Sequence, residues 1–523
     1  MFINPADWKS ETSIFSFLIA NIQDEGKLKD SSIDLPGTPE DELNGKKLKF
    51  APGLFDALFS GGEDDIDVKI HALAELLNRV ARFGDQECEM EFYNRITGRD
   101  GIINIIDPLL DEIGKMGIPL QPYLMPYITD LAFKSAHRNA VKFGMAVLGR
   151  SGNRKALDGI KILGLHEEFT VFATLAIISL SNDVVNDLWE LAKKTDGWGK
   201  IQLVDRLAKM EINEEIKDWL IYEGYKNNIM YDYLAYTCAV QGELSKKLRA
   251  DTINPALFQS AVEIIECLIP INGPAEDISD LADAAYMLER FLLHAKTHAL
   301  TARHFVILGI IQEYLVELQN NIPEPSQGFT EDMITDCLID IAEMLGNKQW
   351  PPRILVSLET GPVSEFYYAV TAANTLQINT WKFAWQRLQA DHKQGCYLLW
   401  SYVTCDANEA QIKAVAEYAM QVIPYKELAT GPDNDMGFGP VLAHFQPLGY
   451  ILPALALYPT LGEPMLLAAL NGPVTRYRNS ALNVLKNWGK DNWSEAVKKQ
   501  LLQLKKTEPN ENTLKVVMEM LGA

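Results

Sequence analysis

Two histidines that could share a metal ion lie four residues apart, His294 and His298 in the stretch HAKTH. On a helix this spacing places both imidazoles on one face. A catalytic zinc helix usually carries a glutamate beside its first histidine, and Ala295 occupies that position here. We therefore favour solvent-facing or core-edge histidines. A metal site at these residues would need a carboxylate from another helix.

A second candidate is the loop GPDNDMGFG, which contains Asp433, Asp435 and Gly437 and is followed by His444. The two aspartates resemble half of a calcium-binding loop, but the further ligands and the closing glutamate are missing. Glycines let a backbone approach a ligand closely, and long loops often carry function. Loops of this composition are also common without function. We favour a structural loop and keep a ligand or partner loop as the alternative.

A third candidate is the aromatic-rich span from Phe366 to Tyr402. Such rings could line a groove for a peptide or a small apolar ligand. The same spacing is what packing between helices requires, and we favour packing. The rings considered for a groove are Tyr367, Trp381, Trp385 and Trp400.

Common catalytic and cofactor motifs are absent from the sequence. It contains no G-x-x-x-x-G-K-[ST], no G-x-S-x-G and no H-E-x-x-H, and no G-x-G-x-x-G follows a strand pattern. The six cysteines form no C-x-x-C pair, so we expect buried, reduced thiols. We therefore predict no cofactor and assign no catalytic residue. An active site assembled from several helices remains compatible with the sequence.

The charge of the chain limits its partners. The 523 residues include 48 Lys and Arg against 70 Asp and Glu, which gives a net charge of −22. This charge repels phosphate backbones and anionic lipids, so we expect neither a nucleic acid nor a membrane as partner. It would attract a basic protein, or it serves only solubility. The start of the chain lacks a signal-peptide pattern and the apolar stretches are too short to span a bilayer, which predicts a cytoplasmic protein.

The elements that must position these residues follow a regular repeat. Between His137 and Glu243, apolar helical patterns begin at residues 137, 168, 198 and 228, at steps of 31, 30 and 30 residues. A second helical pattern lies within each step, and polar turns separate the two. Two short helices per roughly 30 residues are typical of an α-solenoid. No strand pattern competes with this interpretation.

The sequence also contains two similar copies of one element, LETGPVSEFYYAV from Leu358 and LNGPVTRYRNSAL from Leu470. Glycine ends a helix and proline fits the start of the next, so the element is predicted to join stacked repeats. Two sets of residues are predicted to form buried stripes: Tyr477, Ala481, Val484 and Trp488, and in the earlier copy Phe366, Val370 and Ala373. Arg476 and Arg478 stand at a helix start, where the helix dipole disfavours cations, so we expect carboxylate partners from a neighbouring repeat.

The stretch VTRYRNSALNVLKNWG resembles the HEAT-like repeats of bacterial solenoid proteins, in their short form of about 30 residues. The resemblance covers about Lys69–Gly242 and Arg353–Ala523. It implies an all-α, right-handed α-α superhelix of helical hairpins. Families with this fold include scaffolds, protein-maturation factors, pigment lyases and DNA-repair glycosylases, and no set of catalytic residues from any of them matches this chain.

Four segments are predicted: an atypical N-terminal helical cap and linker (1–67), a HEAT-like array (68–270), long central helices (277–346) and a second HEAT-like array (353–523). We expect a non-enzymatic interaction or scaffold protein that binds a partner, possibly a basic protein, on a concave acidic surface. The alternative is an enzyme with a small-molecule or metal site between the central helices and the loop at Asp433. Because fold alone does not determine function, both hypotheses stay open.

Overall fold

The computed structural model describes residues 12–38, 66–98, 101–269, 273, 275–320, 328–393, 397–437 and 442–522. Within these ranges the chain forms 27 α-helices, joined by short turns, and no β-strand. Two isolated β-bridges occur, Ile22 with Leu28 and Asp435 with Val474. The predicted all-α class is confirmed. None of the helices in these ranges combines the length and the apolar character needed to cross a membrane.

The helices up to residue 270 are mostly short. They are α1 (Ile14–Ala20), α2 (Ile66–Phe83), α3 (Gln86–Thr97), α4 (Ile103–Lys115), α5 (Leu124–Lys134), α6 (Arg138–Arg150), α7 (Leu157–Leu163), α8 (Glu167–Leu180), α9 (Val184–Ala192), α10 (Gly197–Leu207), α11 (Glu214–Trp219), α12 (Asp232–Gln241), α13 (Leu244–Leu248) and α14 (Pro255–Leu268). The predicted cap and linker, 1–67, lies largely outside the described residues, which within it are 12–38 and 66–67.

Three longer helices follow: α15 (Ala284–His298), α16 (Ala302–Asn320) and α17 (Glu331–Leu345). Ten more complete the described chain. They are α18 (Trp350–Thr360), α19 (Val363–Thr375), α20 (Trp381–Ala390), α21 (Leu398–Thr404), α22 (Glu409–Val422), α23 (Leu448–Ala454), α24 (Glu463–Leu470), α25 (Thr475–Trp488), α26 (Glu495–Thr507) and α27 (Glu511–Leu521).

The chain divides into two compact units. Among the described residues, the first unit comprises those up to Thr38, those of Phe50–His298 and those of Ile310–Met344. The second comprises Ala299–Gly309 and the residues from Leu345 onward. The predicted central segment, 277–346, is therefore distributed over both units, with α16 beginning in the second and continuing in the first.

Histidine side chains cap the N-termini of two helices of the first unit. Nδ1 of His137 accepts a hydrogen bond from the N–H of Asn139 at 3.3 Å, and Nδ1 of His166 accepts one from Glu168 at 3.1 Å. These bonds satisfy backbone donors that have no partner inside α6 and α8. The other ring nitrogen of His166 donates to the carbonyl of Ile33 at 2.9 Å. Both caps require a neutral imidazole, because a protonated ring has no acceptor.

Small residues let successive helices of the first unit approach closely. A Cβ atom on Gly144 of α6 would lie 2.6 Å from the backbone nitrogen of Ala132 in α5. A Cβ on Gly149 would lie 3.1 Å from Ala176 of α8. The helices α5, α6 and α8 belong to one continuous hydrophobic core that runs from Ile14 to Ile216. Backbone contact at these glycines therefore sets the spacing of the stack.

The two Gly-Pro-Val elements lie between helices, as predicted. In the first copy α18 ends at Thr360, and α19 begins at Val363 after Gly361 and Pro362. In the second, α24 ends at Leu470 and α25 begins at Thr475. All the residues of the two predicted stripes are buried: Tyr477, Ala481, Val484, Trp488, Phe366, Val370 and Ala373. The predicted helix boundaries at this element are confirmed, while its role as a joint between stacked repeats stays a prediction.

Replacing Gly144 with alanine should destabilise the first unit. The added methyl meets the backbone of α5, which cannot move away as a flexible side chain can, so we expect a loss of about 1–3 kcal/mol in the free energy of unfolding. Gly309→Ala is the matched control, since nothing lies within 4 Å of its Cβ position in the described part of the chain. There alanine should stabilise the helix by about 0.5–1 kcal/mol. Urea denaturation measures both; equal effects of the two substitutions would contradict the prediction.

The stability of the first unit should fall on mild acidification. Burial, together with nearby Arg138 and Lys142, lowers the pKa of His137 to about 4. The unfolded chain binds this proton near pH 6.5, so stability decreases as the pH falls from about 6.5 towards 4. His137→Asn keeps a capping acceptor without a titrating ring. We expect the variant to lose less stability between pH 7 and pH 4.5, by up to about 3 kcal/mol. Denaturation at a series of pH values checks this, and parallel curves for both proteins would refute it.

Candidate functional site

The two histidines predicted as metal ligands lie on α15 and are both engaged in packing. His294 is buried, and its Nε2 atom lies 2.9 Å from the carbonyl oxygen of Leu248, the last residue of α13. The ring of His298 stacks on Phe258 of α14 with 5.4 Å between ring centroids. In the ranges that the structure describes, no group of three or more His, Cys, Asp or Glu residues could hold a metal ion. The metal site stays a prediction that lacks further ligands.

The loop at Asp433 is folded onto the second Gly-Pro-Val element. The N–H of Gly431 donates to the carbonyl of Asn471 at 2.8 Å, and the N–H of Thr475 donates to the carbonyl of Asp435 at 3.2 Å. The glycine at 437 is required, because its φ is +80° and a Cβ would lie 2.8 Å from Cγ1 of Val474. This part of the loop braces the joint between α24 and α25.

The carboxylates of the loop are used by its own backbone. Asp433 accepts from the N–H of Asn434 at 2.8 Å, and Asp435 accepts from the N–H of Gly437 at 2.7 Å. His444 lies in the turn Ala443–Phe445, and residues 438–441 between them are outside the described residues. The loop belongs to the second unit and the histidines of α15 to the first. In the described part of the chain no hydrogen bond or ion pair joins the loop aspartates to His444, so a shared site remains a prediction.

Three of the four predicted groove residues are linked by ring contacts. Trp381 and Trp385 stack at 5.4 Å, Trp385 meets Tyr418 edge-on at 5.5 Å, and Tyr418 stacks on Trp400 at 6.0 Å. These rings connect α20, α21 and α22. Trp400 is completely buried and therefore does not line a surface groove. Tyr367 is about half exposed, at 49%. The packing interpretation accounts for the tryptophans.

A fully buried ionic side chain of the second unit is Arg478, at the start of α25. Its Nε and Nη2 atoms each lie 2.7 Å from an oxygen of Glu508, and both side chains are fully buried at 0% exposure. Nη1 donates to the carbonyls of Gly472 and Pro473 at 2.9 Å, and Nη2 also donates to Thr475. All five guanidinium donors thus have partners. The carboxylate predicted for Arg478 is present, while Arg476 donates to the carbonyl of Gly437 at 3.2 Å.

An acidic stretch that the sequence motifs did not indicate includes the longer helices. Residues 251–345 contain sixteen Asp and Glu against three Lys and Arg, so this segment carries −13 of the net −22. Eight of these acids and all three cations lie on α15, α16 and α17, which together carry −5. Glu289 on α15 and Asp336 and Glu343 on α17 are exposed and form no ion pair within the described chain. A running count of charge along the sequence would have found the segment. We call the exposed parts of α15, α16 and α17 the acidic helices.

An ion pair links α15 to α17. Lys296 of α15 pairs with Asp340 of α17 at 2.7 Å. Burial, with the carboxylates of Glu289, Asp340 and Asp336 nearby, raises the pKa of the Cys337 thiol to about 11. On α16, burial and the carboxylates of Asp277 and Glu317 raise the pKa of Tyr314 to about 12. The local field in this part of the unit is therefore negative.

Each acidic helix also exposes a large aliphatic side chain. Leu293 on α15 is 45% exposed, Val316 on α16 is 47% exposed and Ile339 on α17 is 53% exposed. Leu293 is four residues from Glu289, and Ile339 is three residues from Asp336, so each lies next to a carboxylate on its helix surface. The surface can offer both charge and apolar contact to a partner.

Comparison with protein family models, with curated proteins and with solved structures finds no match for this chain. What the chain does is therefore inferred from its own contacts and charges.

The Arg478–Glu508 pair should contribute strongly to the stability of the second unit. Glu508→Gln leaves a buried guanidinium without its counter-charge, and we expect a loss of about 3 kcal/mol or more in the free energy of unfolding. Arg478→Lys should be similarly harmful, because lysine cannot supply five donors.

The control for this prediction is Glu495→Gln on α26. Its carboxylate pairs with Lys498 at 2.9 Å but is 90% exposed, so its removal should change stability by about 0.5 kcal/mol or less. Denaturant unfolding followed by tryptophan fluorescence reports on both, since Trp488 and Trp493 lie in this unit. An effect of Glu508→Gln no larger than that of Glu495→Gln would contradict the prediction.

Proposed function

We propose that this chain is a non-enzymatic binding protein built as a right-handed α-α superhelix of HEAT-like helical pairs, and that its acidic helices dock a basic, amphipathic segment of a partner protein. The architecture is supported by equivalent histidine caps on α6 and α8 and by the glycine contacts that join α5, α6 and α8. It is also supported by the two Gly-Pro-Val joints. The proposed function rests on the charge and the exposed apolar side chains of the acidic helices.

The carrying observation is the combination of charge and apolar exposure. Carboxylates at 289, 336 and 343 are exposed, and Leu293 and Ile339 are exposed on the same two helices. A partner that only neutralised charge would leave these aliphatic side chains in water. A basic amphipathic helix satisfies both, because its cations meet the carboxylates while its apolar stripe covers the aliphatic groups.

The expected interaction is steered by charge. A strongly negative surface raises the association rate of a basic partner, and added salt screens that attraction over about 8 Å at physiological ionic strength. Burying apolar area contributes roughly 25 cal/mol per Å², which salt does not screen. Binding should therefore weaken with salt without disappearing at once.

As part of this proposal we place the protein in the cytoplasm. The thiols of Cys88, Cys238 and Cys337 are buried and carry no disulfide. Unpaired buried thiols suit a reducing compartment.

The test is affinity capture from the lysate of the native cell with a variant of the acidic helices. In Glu289→Gln/Asp336→Asn/Glu343→Gln the helices keep their length and shape but lose three charges. We expect a basic protein that the wild type retains at low salt to be lost by this variant, and to be released from the wild type by high salt.

The control variant, Asp107→Asn/Glu211→Gln/Glu417→Gln, removes three exposed carboxylates elsewhere and has the same net charge. It should retain the partner as the wild type does. Equal loss from both variants would show attraction to net charge alone, and equal retention by both would show that the partner does not use the acidic helices. Either result overturns the proposed docking surface.

A further inference from the structure

A cavity of about 980 Å³ in the first unit has a positively charged wall. It is formed where residues 27–32 meet the segments 193–200 and 219–231. Six of its lining residues are lysines: Lys27, Lys29, Lys193, Lys194, Lys200 and Lys226. Three are acidic, Asp30, Asp196 and Glu223, so the lining side chains carry a net charge of +3 in a chain of net −22.

The three carboxylates are held by the walls of the cavity. Asp30 accepts from the N–H of Ser32 at 2.8 Å. Asp196 accepts from the N–H groups of Gly197 and Asn228 at 2.8 and 2.9 Å. Glu223 pairs with Lys226 at 2.9 Å. These hydrogen bonds and the ion pair hold the carboxylates in position. Three carboxylates offset the charge of only three of the six lysines.

Two of the lysines that line the cavity lack a carboxylate partner in the described part of the chain. Lys29 and Lys194 form no side-chain hydrogen bond or ion pair with any residue in the described ranges. The ammonium group of Lys194 lies beside Gly26, 3.7 Å from the position of a Cβ on that glycine. Lys29 is exposed and Lys194 is half-buried, so both ammonium groups can reach a ligand that supplies the counter-charge.

A buried hydroxyl in the same wall is unsatisfied. Ser31 is only 6% exposed, and among the described residues its Oγ atom has no hydrogen-bond partner. The residue is held in place by its carbonyl, which accepts from the N–H of Glu167 at 3.0 Å. A buried hydroxyl without a partner is destabilising, and because Ser31 lines the cavity, a rotation of its hydroxyl towards a ligand oxygen would remove that cost.

Lys200 contributes from the floor of the site. It is buried, and its ammonium group donates to the carbonyls of Glu223 and Lys226 at 2.8 and 2.6 Å. Two donors are used in this way, and an ammonium group has three. Its burial lowers the pKa of Lys200. An anion in the cavity would stabilise the charged form of this lysine.

We propose that this cavity binds a small molecule carrying several phosphate groups. Lysines bind phosphate as point charges, and several of them around one space fit a compact polyanion. The volume is at the upper end of the range for small-molecule sites. The aromatic rings of Trp219 and Tyr231 also line it and offer an apolar surface to an organic part of the ligand. This site is separate in residues from the acidic helices and does not depend on the function proposed for them.

The test is isothermal titration calorimetry of the full chain with two probes, inorganic tripolyphosphate and ATP, at 50 mM NaCl. Both should bind at one site. Lys29→Ala/Lys194→Ala should weaken binding by about tenfold per lysine, since each removes one charge-assisted contact. The control Lys393→Ala/Lys413→Ala removes two exposed lysines of the second unit, with the same change in charge, and should bind within about twofold of the wild type.

A neutral substitution separates the site from a general charge effect. Ser31→Ala should weaken binding of either probe several-fold, because it removes a donor from the ligand. In the absence of ligand its melting temperature should be equal to that of the wild type or higher, because the unsatisfied hydroxyl is gone. A purely structural serine would give the opposite pattern, a lower melting temperature with unchanged binding.

Equal affinity for the two probes would support recognition of the phosphate chain itself, and tighter binding of ATP would support an organic phosphate held against the aromatic rings. Absence of binding by both probes at low salt would overturn the proposal. So would binding that Lys29→Ala/Lys194→Ala leaves unchanged, or binding that the control variant weakens to the same extent.

Discussion

The carbonyl groups at the ends of short helices are the constraint on which the packing depends. Every helix leaves its last carbonyls without partners, and a chain of many short helices has many such groups to satisfy. Cationic side chains from a later helix do this repeatedly. Arg290 of α15 donates to the last carbonyl of α13, Arg387 of α20 donates to the end of α18, and Arg478 of α25 donates to the residues after α24. Each bond ties the end of one helix, or the turn after it, to a side chain of a later helix.

The use of cationic side chains inside the protein bears on two candidate sites, His294 and the acidic helices. His294, which the sequence offered as a metal ligand, bonds to the same carbonyl of Leu248 as Arg290 and acts as a second donor there. Lysines and arginines are also the minority charge, 48 against 70, and some of them are used in the interior. Fewer remain to balance surface carboxylates. The exposed charge of α15–α17 therefore follows in part from how the helices are joined.

Sequence reasoning predicted the local features and missed those formed over long distances in the chain. The apolar spacing of Tyr477, Ala481, Val484 and Trp488 gave the buried face of α25, and Gly-Pro marked its boundary, because both depend on neighbouring residues. The sequence predicted that Arg478 would pair with a carboxylate, but not which residue would supply it. Its identity, Glu508, depends on how α26 returns to the joint. The lysine cavity combines Lys29 with Lys194, which are 165 positions apart and share no repeat spacing, so no periodicity could indicate it.

The proposed polyphosphate site would select by the size of the ligand as well as by its charge. A polyanion approaching the protein meets the repulsion of a net charge of −22, which is screened beyond about 8 Å at physiological salt. Inside the cavity, the lysines act within a few Å and dominate. A compact polyphosphate experiences mainly this short-range attraction. A nucleic acid would also carry phosphates outside the cavity, and the net charge of −22 would repel them. The proposed site, a positive cavity in a negative protein, would therefore favour small polyanions over long ones.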